Sequence, residues 1–367
     1  MVKVVHIADV HLDTPLGALP AEVAALRRQQ TRSAFAEVLD RAGREGADAV
    51  LLSGDLFDNG AATPDSLRVL SDAALRYPDT RFFVAPGNHD CLSGNSPYRA
   101  ILRPANLYIF ESGLMEKLDF PEYTVYGLGC LYENCEVSPL RDFQVEDPER
   151  INLMVLHSQA QGFGGHQMYN PITTDEIRRS GLTYLALGHV HAWSGILSAG
   201  KTVYAYPGAL VGHGFDETGE KGYIAGRIEA DRVDLHFVPC DCPSFEWVTA
   251  DLGGAQSMID VLAAIEAAVG EKGDGCILKL TLAGERRADL PLNYPAIRDA
   301  LSRFSYVKIE DETKASRDYE RLAAENTLTG LFIRNIMDAQ ADAACKEAAL
   351  SYGLAALSGE ELTGIED

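Results

Sequence analysis

Along the first 240 residues, short runs of apolar and β-branched residues alternate with longer segments whose apolar positions recur at helical spacing. Residues 2–7, 49–52 and 82–84 form the apolar runs, and residues 21–44 and 67–75 have the helical pattern. Strands that alternate with helices in this order typically join into a parallel sheet with helices on its faces. The pattern therefore predicts a βαβαβ unit at the start of the chain.

From residue 123 onward the pattern changes to a succession of strands. The predicted strands cover residues 124–128, 153–156, 184–187, 203–206, 223–228 and 233–238. So many strands after a βαβαβ unit favour two packed sheets over a single open one. We therefore expect an α/β fold over residues 1–240, namely a two-sheet β-sandwich flanked by helices.

A second pattern follows residues 239–243. Strands predicted at 246–250, 277–282 and 306–309 alternate with helices at 256–269 and near 295–303, which indicates a small α+β capping domain over residues 241–318. Helical patterns at 322–337 and 341–357 predict closing helices over residues 319–367. The stretch 328–337 is apolar on more than one helical face, which is typical of a core helix, with a partner-docking face as the alternative.

Composition and charge limit the class of protein. Hydrophobic residues make up 46% of the chain and charged residues 23%, as in ordinary globular proteins. No apolar run approaches the ~20 residues that cross a bilayer, and the N-terminus lacks a signal-peptide pattern, so we expect a cytoplasmic protein without a membrane segment. Seven cysteines without a Cys-x-x-Cys pair indicate reduced thiols. The net charge of −22 opposes non-specific binding to nucleic acid, which depends on Lys and Arg.

Residues of metal-binding types follow the predicted strands directly. In chain order they are Asp9, His11, Asp55, Asp58, Asn88, His89, Asp90, His157, His189 and His191. Loops at the carboxyl ends of strands are where α/β sheets place ligand sites. Imidazole and carboxylate ligands without thiolate suit Mn, Fe or Zn, and a bridging carboxylate can hold two ions about 3.5–4 Å apart.

Each of these motifs alone also has an ordinary structural interpretation, as a turn or a hydrogen-bonded histidine. Their combined placement at successive strand ends favours a single metal site. Asp58 either accepts a hydrogen bond from a site residue or caps the segment after it. His6 lies inside the first strand, which indicates a structural role. His166 and His213 lie in glycine-flanked loops, where each is either a substrate contact or a loop residue.

The series of motifs resembles that of the calcineurin-like metallophosphoesterases over about residues 1–240. The resemblance implies two divalent metal ions. One would be held by Asp9, His11, Asp55 and His191. The other would be held by Asp55, Asn88, His157 and His189, so that Asp55 bridges the two. His89 would face the phosphoryl group, Asp90 would orient its ring, and a metal-bridging water would be the nucleophile.

Looser similarities point to the SbcD-type DNA repair exonucleases, among them Ile-Ala-Asp-Val-His-Leu-Asp near the N-terminus and Tyr-Pro-Gly-Ala from residue 206. They imply a Mn-dependent DNA exo/endonuclease subunit whose closing helices dock on a coiled-coil ATPase of the SbcC type. Because the chain is acidic, our hypothesis is that a homodimer or this ATPase supplies most DNA contacts. The alternative is a phosphodiesterase or phosphatase for a small nucleotide. A degenerate site is disfavoured because every ligand position is filled.

Overall fold

The first strands and helices follow the predicted alternation. They are β1 (Val2–Ile7), α1 (Ala21–Arg44), β2 (Ala49–Leu52), α2 (Pro64–Arg76), β3 (Arg81–Val84), a 3-10 turn (Pro97–Ala100) and β4 (Leu107–Ile109). Strands β1 to β4 are parallel neighbours in one sheet. The expected βαβαβ unit is therefore confirmed. The computed structural model describes residues 1–58, 60–132, 135–163, 169–287, 290–316 and 319–358.

A second sheet is built from the middle of the chain. Its elements are β5 (Glu116–Asp119), β6 (Tyr123–Gly127), β7 (Ile151–His157), α3 (Thr174–Ser180), β8 (Tyr184–Gly188), β9 (Leu197–Ala199) and β10 (Thr202–Ala205). The strand order is β5-β6-β7-β8-β10-β9. The chain then returns to the first sheet through β11 (Gly222–Ile228) and β12 (Val233–Pro239), which gives the order β12-β11-β1-β2-β3-β4.

The two sheets pack against each other, as the two-sheet prediction requires. Alternate residues of a strand point to opposite faces of its sheet. In β2, Val50 therefore joins the core beneath α1 and α2, while Leu51 joins the core shared with the second sheet. Leu153 and Tyr184 enter that shared core from the second sheet. His6 is fully buried, and one of its ring nitrogens lies 2.8 Å from the hydroxyl of Tyr184 in the second sheet. This contact supports the interpretation that His6 has a structural role.

The α+β part contains more strands than the sequence predicts. Its elements are β13 (Phe245–Asp251), α4 (Met258–Val269), β14 (Ile277–Ala283), β15 (Glu285–Arg287), α5 (Tyr294–Ala300), β16 (Tyr306–Asp311) and β17 (Lys314–Ser316). Strands β13, β14 and β16 form a three-stranded sheet in that order, and β15 pairs with β17. Helix α4 begins where Ser257 and Asp260 cap each other reciprocally.

The prediction of one helix over 322–337 is wrong. The structure has two helices there, α6 (Tyr319–Ala324) and α7 (Leu328–Asp338), followed by α8 (Ala343–Ser358). Thr327 interrupts the pattern because its hydroxyl accepts a hydrogen bond from Gly330 N at 3.1 Å and starts a new helix. In α7, Ile333 is fully buried, whereas Leu328 is 69% exposed. One face of α7 is therefore core, and docking by the other face stays a prediction.

Two compact units make up the chain. The first consists of Met1–Trp247, Lys272–Lys279 and Arg303–Lys308, and the second of Val248–Glu271, Leu280–Ser302 and the residues from 309 onward. The predicted boundaries at residues 240 and 318 stay predictions. Within the described ranges, no helix combines the length and the apolar character that crossing a bilayer requires. All of the candidate ligands lie in the first unit, whose strand ends position them.

Candidate metal centre

The candidate ligands lie where strands of both sheets end. Asp9 and His11 follow β1, and their loop pairs with the loop after β2, since His11 N donates to Asp55 O at 2.9 Å. His157 is the last residue of β7, and His189 directly follows β8. The carboxyl ends of parallel strands lie at one edge of a sheet. The two sheets thus direct all of these loops to one place.

The backbone of the loops at these strand ends adopts unusual conformations. Asp9, His11, Asp55 and His189 all have positive φ, at 50°, 46°, 49° and 103°. Residues other than glycine rarely adopt such angles, and those that do cluster at functional sites. A Cβ on Gly188 would lie 1.8 Å from the carbonyl oxygen of Ser53. Glycine is therefore required there for the two loops to approach each other.

One cluster gathers Asp9, His11, Asp55 and His191. The Nε2 atoms of the two histidines lie 3.2 Å apart. His11 Nε2 is 3.8 Å from Asp55 Oδ2, and His191 Nε2 is 3.8 Å from Asp9 Oδ1. Both carboxylates are almost fully buried. These are the four residues for which the resemblance implies one metal position.

The other ring nitrogen of each histidine in this cluster is occupied. His11 Nδ1 lies 2.9 Å from Asp58, and His191 Nδ1 lies 2.5 Å from Glu217. Burial disfavours both carboxylates, yet their bonds to these histidines hold the pKa of Asp58 and of Glu217 well below the usual range. Each Nδ1 is thus engaged by a carboxylate, and the two Nε2 atoms face each other. Their separation of 3.2 Å fits two ligands of one cation.

A second cluster contains Asp55, Asn88 and His157, with His189 beside it. His157 Nδ1 donates to the Ser53 carbonyl at 2.9 Å, so its Nε2 faces Asn88 Oδ1 and Asp55 Oδ2, each 3.1 Å away. The ring of His189 lies 5.3 Å from that of His157. Burial, together with His157, lowers the pKa of His189 to about 4, so its imidazole is neutral, as a ligand must be.

Asp55 belongs to both clusters. Its Oδ2 faces nitrogens of His11 and His157, while Oδ1 accepts the backbone N–H of His89 at 2.9 Å. Burial opposes the charged ring of His157, yet Asp55 and Asp9 outweigh it and raise the pKa of His157 to about 9. The buried carboxylates of Asp9 and Asp55 thus favour a positive charge, such as a cation, between them. Its nitrogen and oxygen donors fit borderline divalent cations such as Mn, Fe or Zn.

The expected pairing of His89 with Asp90 is wrong. His89 Nδ1 lies 3.1 Å from Asp58 Oδ1, and this bond outweighs burial to raise the pKa of His89. Asp58 also bonds His11, which decides between the two interpretations left open for it: it accepts hydrogen bonds from site residues. The sequence favoured Asp90 because it adjoins His89 in the same motif, whereas Asp58 belongs to an earlier motif and meets the His89 ring only in the folded chain.

Asp90 instead links the loops after β2 and β3 through hydrogen bonds in the interior of the protein. It is fully buried and accepts hydrogen bonds from Leu56 N at 2.7 Å, Phe57 N at 3.3 Å, Gly87 N at 2.6 Å and the Tyr98 hydroxyl at 2.5 Å. Burial, with Asp55 nearby, raises its pKa to about 6. These contacts join the loops after β2 and β3, which carry Asp55 and His89.

Removing one hydroxyl from this network tests its structural role. Tyr98→Phe keeps the buried ring but leaves Asp90 without one donor, which we expect to lower the free energy of unfolding by about 1–3 kcal/mol. Urea denaturation measures this change. Tyr132→Phe, at a side chain that is 71% exposed, is the matched control and should change stability little. A loss of hydrolytic activity without a loss of stability would instead assign Asp90 to the chemistry.

Two residues near the centre had weak or no sequence signals. Glu217 lies in a loop that directly follows no predicted strand; its segment, Gly-Phe-Asp-Glu from residue 214, is one of the looser similarities to the SbcD-type exonucleases, which gave it no role. His213 is placed beside the centre, 5.2 Å from the His11 ring, and both of its ring nitrogens face protein acceptors. The glycines flanking it were its only signal. His166 lies outside the described residues.

The fold and this donor set define a metal-binding site of the kind used for hydrolysis of phosphate esters. The family model for calcineurin-like phosphoesterases matches residues 2–193. The chain therefore belongs to the calcineurin-like metallophosphoesterase family, and it is a phosphoesterase.

Relatives of the chain include one bacterial metallophosphoesterase and several archaeal proteins. It is 28% identical to the metallophosphoesterase YhaO of Bacillus subtilis over 76% of this chain and 71% of that protein. It is 31% identical to the DNA double-strand break repair protein Mre11 of Aeropyrum pernix, over 57% of this chain and 54% of that one. The Mre11 of Saccharolobus solfataricus is 28% identical over 52% and 50%. The chain thus spans about half the length of these Mre11 relatives.

Among solved structures, TT1561 of Thermus thermophilus aligns with 64% of this chain and 98% of its own, at 14% identity and a TM-score of 0.41.

Proposed function

We propose that the chain is a two-metal phosphodiesterase that cleaves DNA as the nuclease subunit of a repair complex. The observation that carries the two-metal part is the position of Asp55 between two clusters of imidazole nitrogens. In this proposal the first ion is held by Asp9, His11, Asp55 and His191, and the second by Asp55, Asn88, His157 and His189. Two such ions, most simply Mn²⁺, would lower the pKa of a bound water and polarise the phosphoryl oxygens.

The residues of the chain then divide the remaining work. The buried carboxylates and the imidazoles fix the centre, because strained loops and contacts to their remaining polar atoms hold each of them in one orientation. His89 differs from these buried residues because its side chain is 54% exposed, so an incoming substrate can reach it. Asp58 orients its ring and favours the imidazolium. His89 would therefore stabilise charge on the phosphoryl group or donate a proton to the leaving oxygen.

The choice of DNA as substrate is supported by two relatives named as DNA double-strand break repair proteins. A formal charge of −22 argues against strong DNA binding by this chain alone, because phosphate contacts depend on Lys and Arg. The proposal therefore includes a homodimer or a coiled-coil ATPase of the SbcC type that supplies most of the DNA contacts. A cytoplasmic location accords with the described cysteines, all of which are free thiols.

The acidic surface favours a second candidate, a phosphodiesterase or phosphatase for a small nucleotide, since such a substrate needs few contacts outside the metal centre. Hydrolysis assays with Mn²⁺ separate the candidates. Linear duplex DNA, a nucleoside monophosphate and bis-p-nitrophenyl phosphate are each tested, with and without the ATPase, and with EDTA as control.

We expect EDTA-sensitive hydrolysis of bis-p-nitrophenyl phosphate by the chain alone, and cleavage of DNA that increases with the ATPase. Nucleotide turnover without DNA cleavage under every condition would select the second candidate. Hydrolysis of none of the three would contradict both. Tight duplex binding by the isolated chain at physiological salt, with a steep salt dependence, would contradict the part assigned to a partner.

A further inference from the structure

Glu217 contacts one histidine of the centre and one histidine outside it. Its Oε1 lies 2.5 Å from His191 Nδ1, and its Oε2 accepts from the backbone N–H of His213 at 3.0 Å. His213 Nδ1 lies 3.1 Å from the same oxygen. Both carboxylate oxygens are thus engaged, and the side chain is only 15% exposed. A carboxylate held on both sides keeps the imidazole that it contacts in one orientation.

His213 carries this connection to the opposite side of the same metal position. Its Nε2 lies 3.0 Å from the carbonyl oxygen of Val10, the residue between Asp9 and His11. Its ring packs edge-on against His11 with centroids 5.2 Å apart. The path from Glu217 through His213 therefore joins the His191 loop to the loop that carries Asp9 and His11. With both nitrogens occupied and a side chain only 13% exposed, His213 is a positioning residue rather than a substrate contact.

The second metal position is supported differently. The non-ligating nitrogen of His157 donates to a backbone carbonyl, that of Ser53, and so is held by main chain. The ring of His189 packs against Tyr169, with centroids 5.5 Å apart, and Tyr169 also packs on His157. These supports come from residues other than Glu217. A change at Glu217 therefore affects one metal position directly and leaves the supports of the other in place.

We propose that Glu217, anchored by His213, is the residue that sets the affinity of the His11–His191 metal position independently of the His157 position. The negative charge of Glu217 makes Nε2 of His191 a stronger donor and fixes its direction, and His213 keeps the carboxylate in place. This inference rests on the proposed two-metal centre. It predicts that one substitution weakens metal binding at one position and leaves the affinity of the other unchanged.

Glu217→Gln is the test, because it preserves size while removing the charge. Removal of such an outer partner typically weakens metal binding by about 10–100-fold. We expect the unaltered protein to take up two Mn²⁺ and to give the electron paramagnetic resonance spectrum of a coupled pair. The variant should bind one Mn²⁺ with unchanged affinity and the other about 10–100-fold more weakly. At one equivalent of added Mn²⁺, it should give a mononuclear spectrum.

Glu220→Gln is the matched control, since Glu220 lies three residues further along the same segment and is exposed. It should retain both affinities. If Glu217→Gln fails to fold by circular dichroism, His213→Gln replaces it, with a smaller loss expected at the same position. Two unchanged affinities, or equal weakening of both, would overturn the inference. Binding of fewer than two Mn²⁺ by the unaltered protein would instead contradict the proposed two-metal centre itself.

Discussion

Asp55→Asn is expected to abolish both metal binding and phosphodiester hydrolysis while leaving the protein folded. The amide oxygen of asparagine can still accept the backbone N–H of His89, which Asp55 Oδ1 accepts at 2.9 Å. The amide nitrogen would then take the place of Oδ2, which lies 3.1 Å from His157 Nε2, and would offer N–H groups where the carboxylate offers lone pairs. A neutral donor group would thus replace the anion that two cations share in the proposed centre. Retention of the fold and loss of the metals follow from the same exchange.

The size of this effect follows from what the ions contribute. Metal catalysis of phosphoryl transfer supplies several kcal/mol, and each 1.36 kcal/mol is a tenfold change in rate, so we expect kcat/KM for bis-p-nitrophenyl phosphate to fall by about 10³-fold or more. Metal content after dialysis should fall from two ions to none that is tightly bound. Asp119→Asn, at an exposed carboxylate paired with Lys117, is the matched control and should keep metals and activity. Full metal content in Asp55→Asn would show that Asp55 is not the shared ligand.

That the candidate ligands lie together could be predicted from sequence because their positions are tied to strand ends. Asp9, Asp55, His157 and His189 each follow or end a short apolar strand, and parallel strands bring such positions to one edge. Short apolar runs locate the strands, and the residue types then indicate metal binding. The two-sheet arrangement followed in the same way from the number of strands after residue 123.

What could not be predicted depends on the direction of side chains and on loops. Asp90 adjoins His89 along the chain, yet it turns inward to backbone N–H groups and Tyr98, and Asp58, from an earlier motif, bonds the ring. Glu217 follows no strand, and its relation to His191 exists only in three dimensions. Thr327 ends a helical pattern through one hydroxyl hydrogen bond, which apolar periodicity does not register. The strand pattern thus predicts where a ligand lies, while the groups that orient it require the folded chain.

His89→Gln is expected to separate catalysis from metal binding. The side chain of His89 is far more exposed than those of the candidate ligands His11 and His157, at 54% against 6% and 1%. Its ring bonds Asp58 and meets His11 only edge-on, with centroids 4.9 Å apart, so we expect its loss to leave the donor atoms of both clusters in place. Glutamine can donate a hydrogen bond but cannot act as an acid. We therefore expect kcat to fall by about 10²–10⁴-fold, the usual contribution of a positioned acid or base.

Metal analysis and kinetics on one preparation decide this prediction. Two bound Mn²⁺ with a reduced kcat assign His89 to the chemistry, and His236→Gln, the same substitution at an exposed histidine of β12, should match the unaltered protein. The kcat of Asp58→Asn should lie between those of His89→Gln and His236→Gln, because this substitution frees the His89 ring and also loosens His11.

Two substrates with different leaving groups separate the two roles considered for His89. If the leaving oxygen needs a proton, hydrolysis of a substrate with the good leaving group p-nitrophenolate should lose less activity in His89→Gln than hydrolysis of one with a poor, alkoxide leaving group. Equal losses on both substrates would assign His89 to charge stabilisation on the phosphoryl group instead, and an unchanged kcat would remove it from the mechanism.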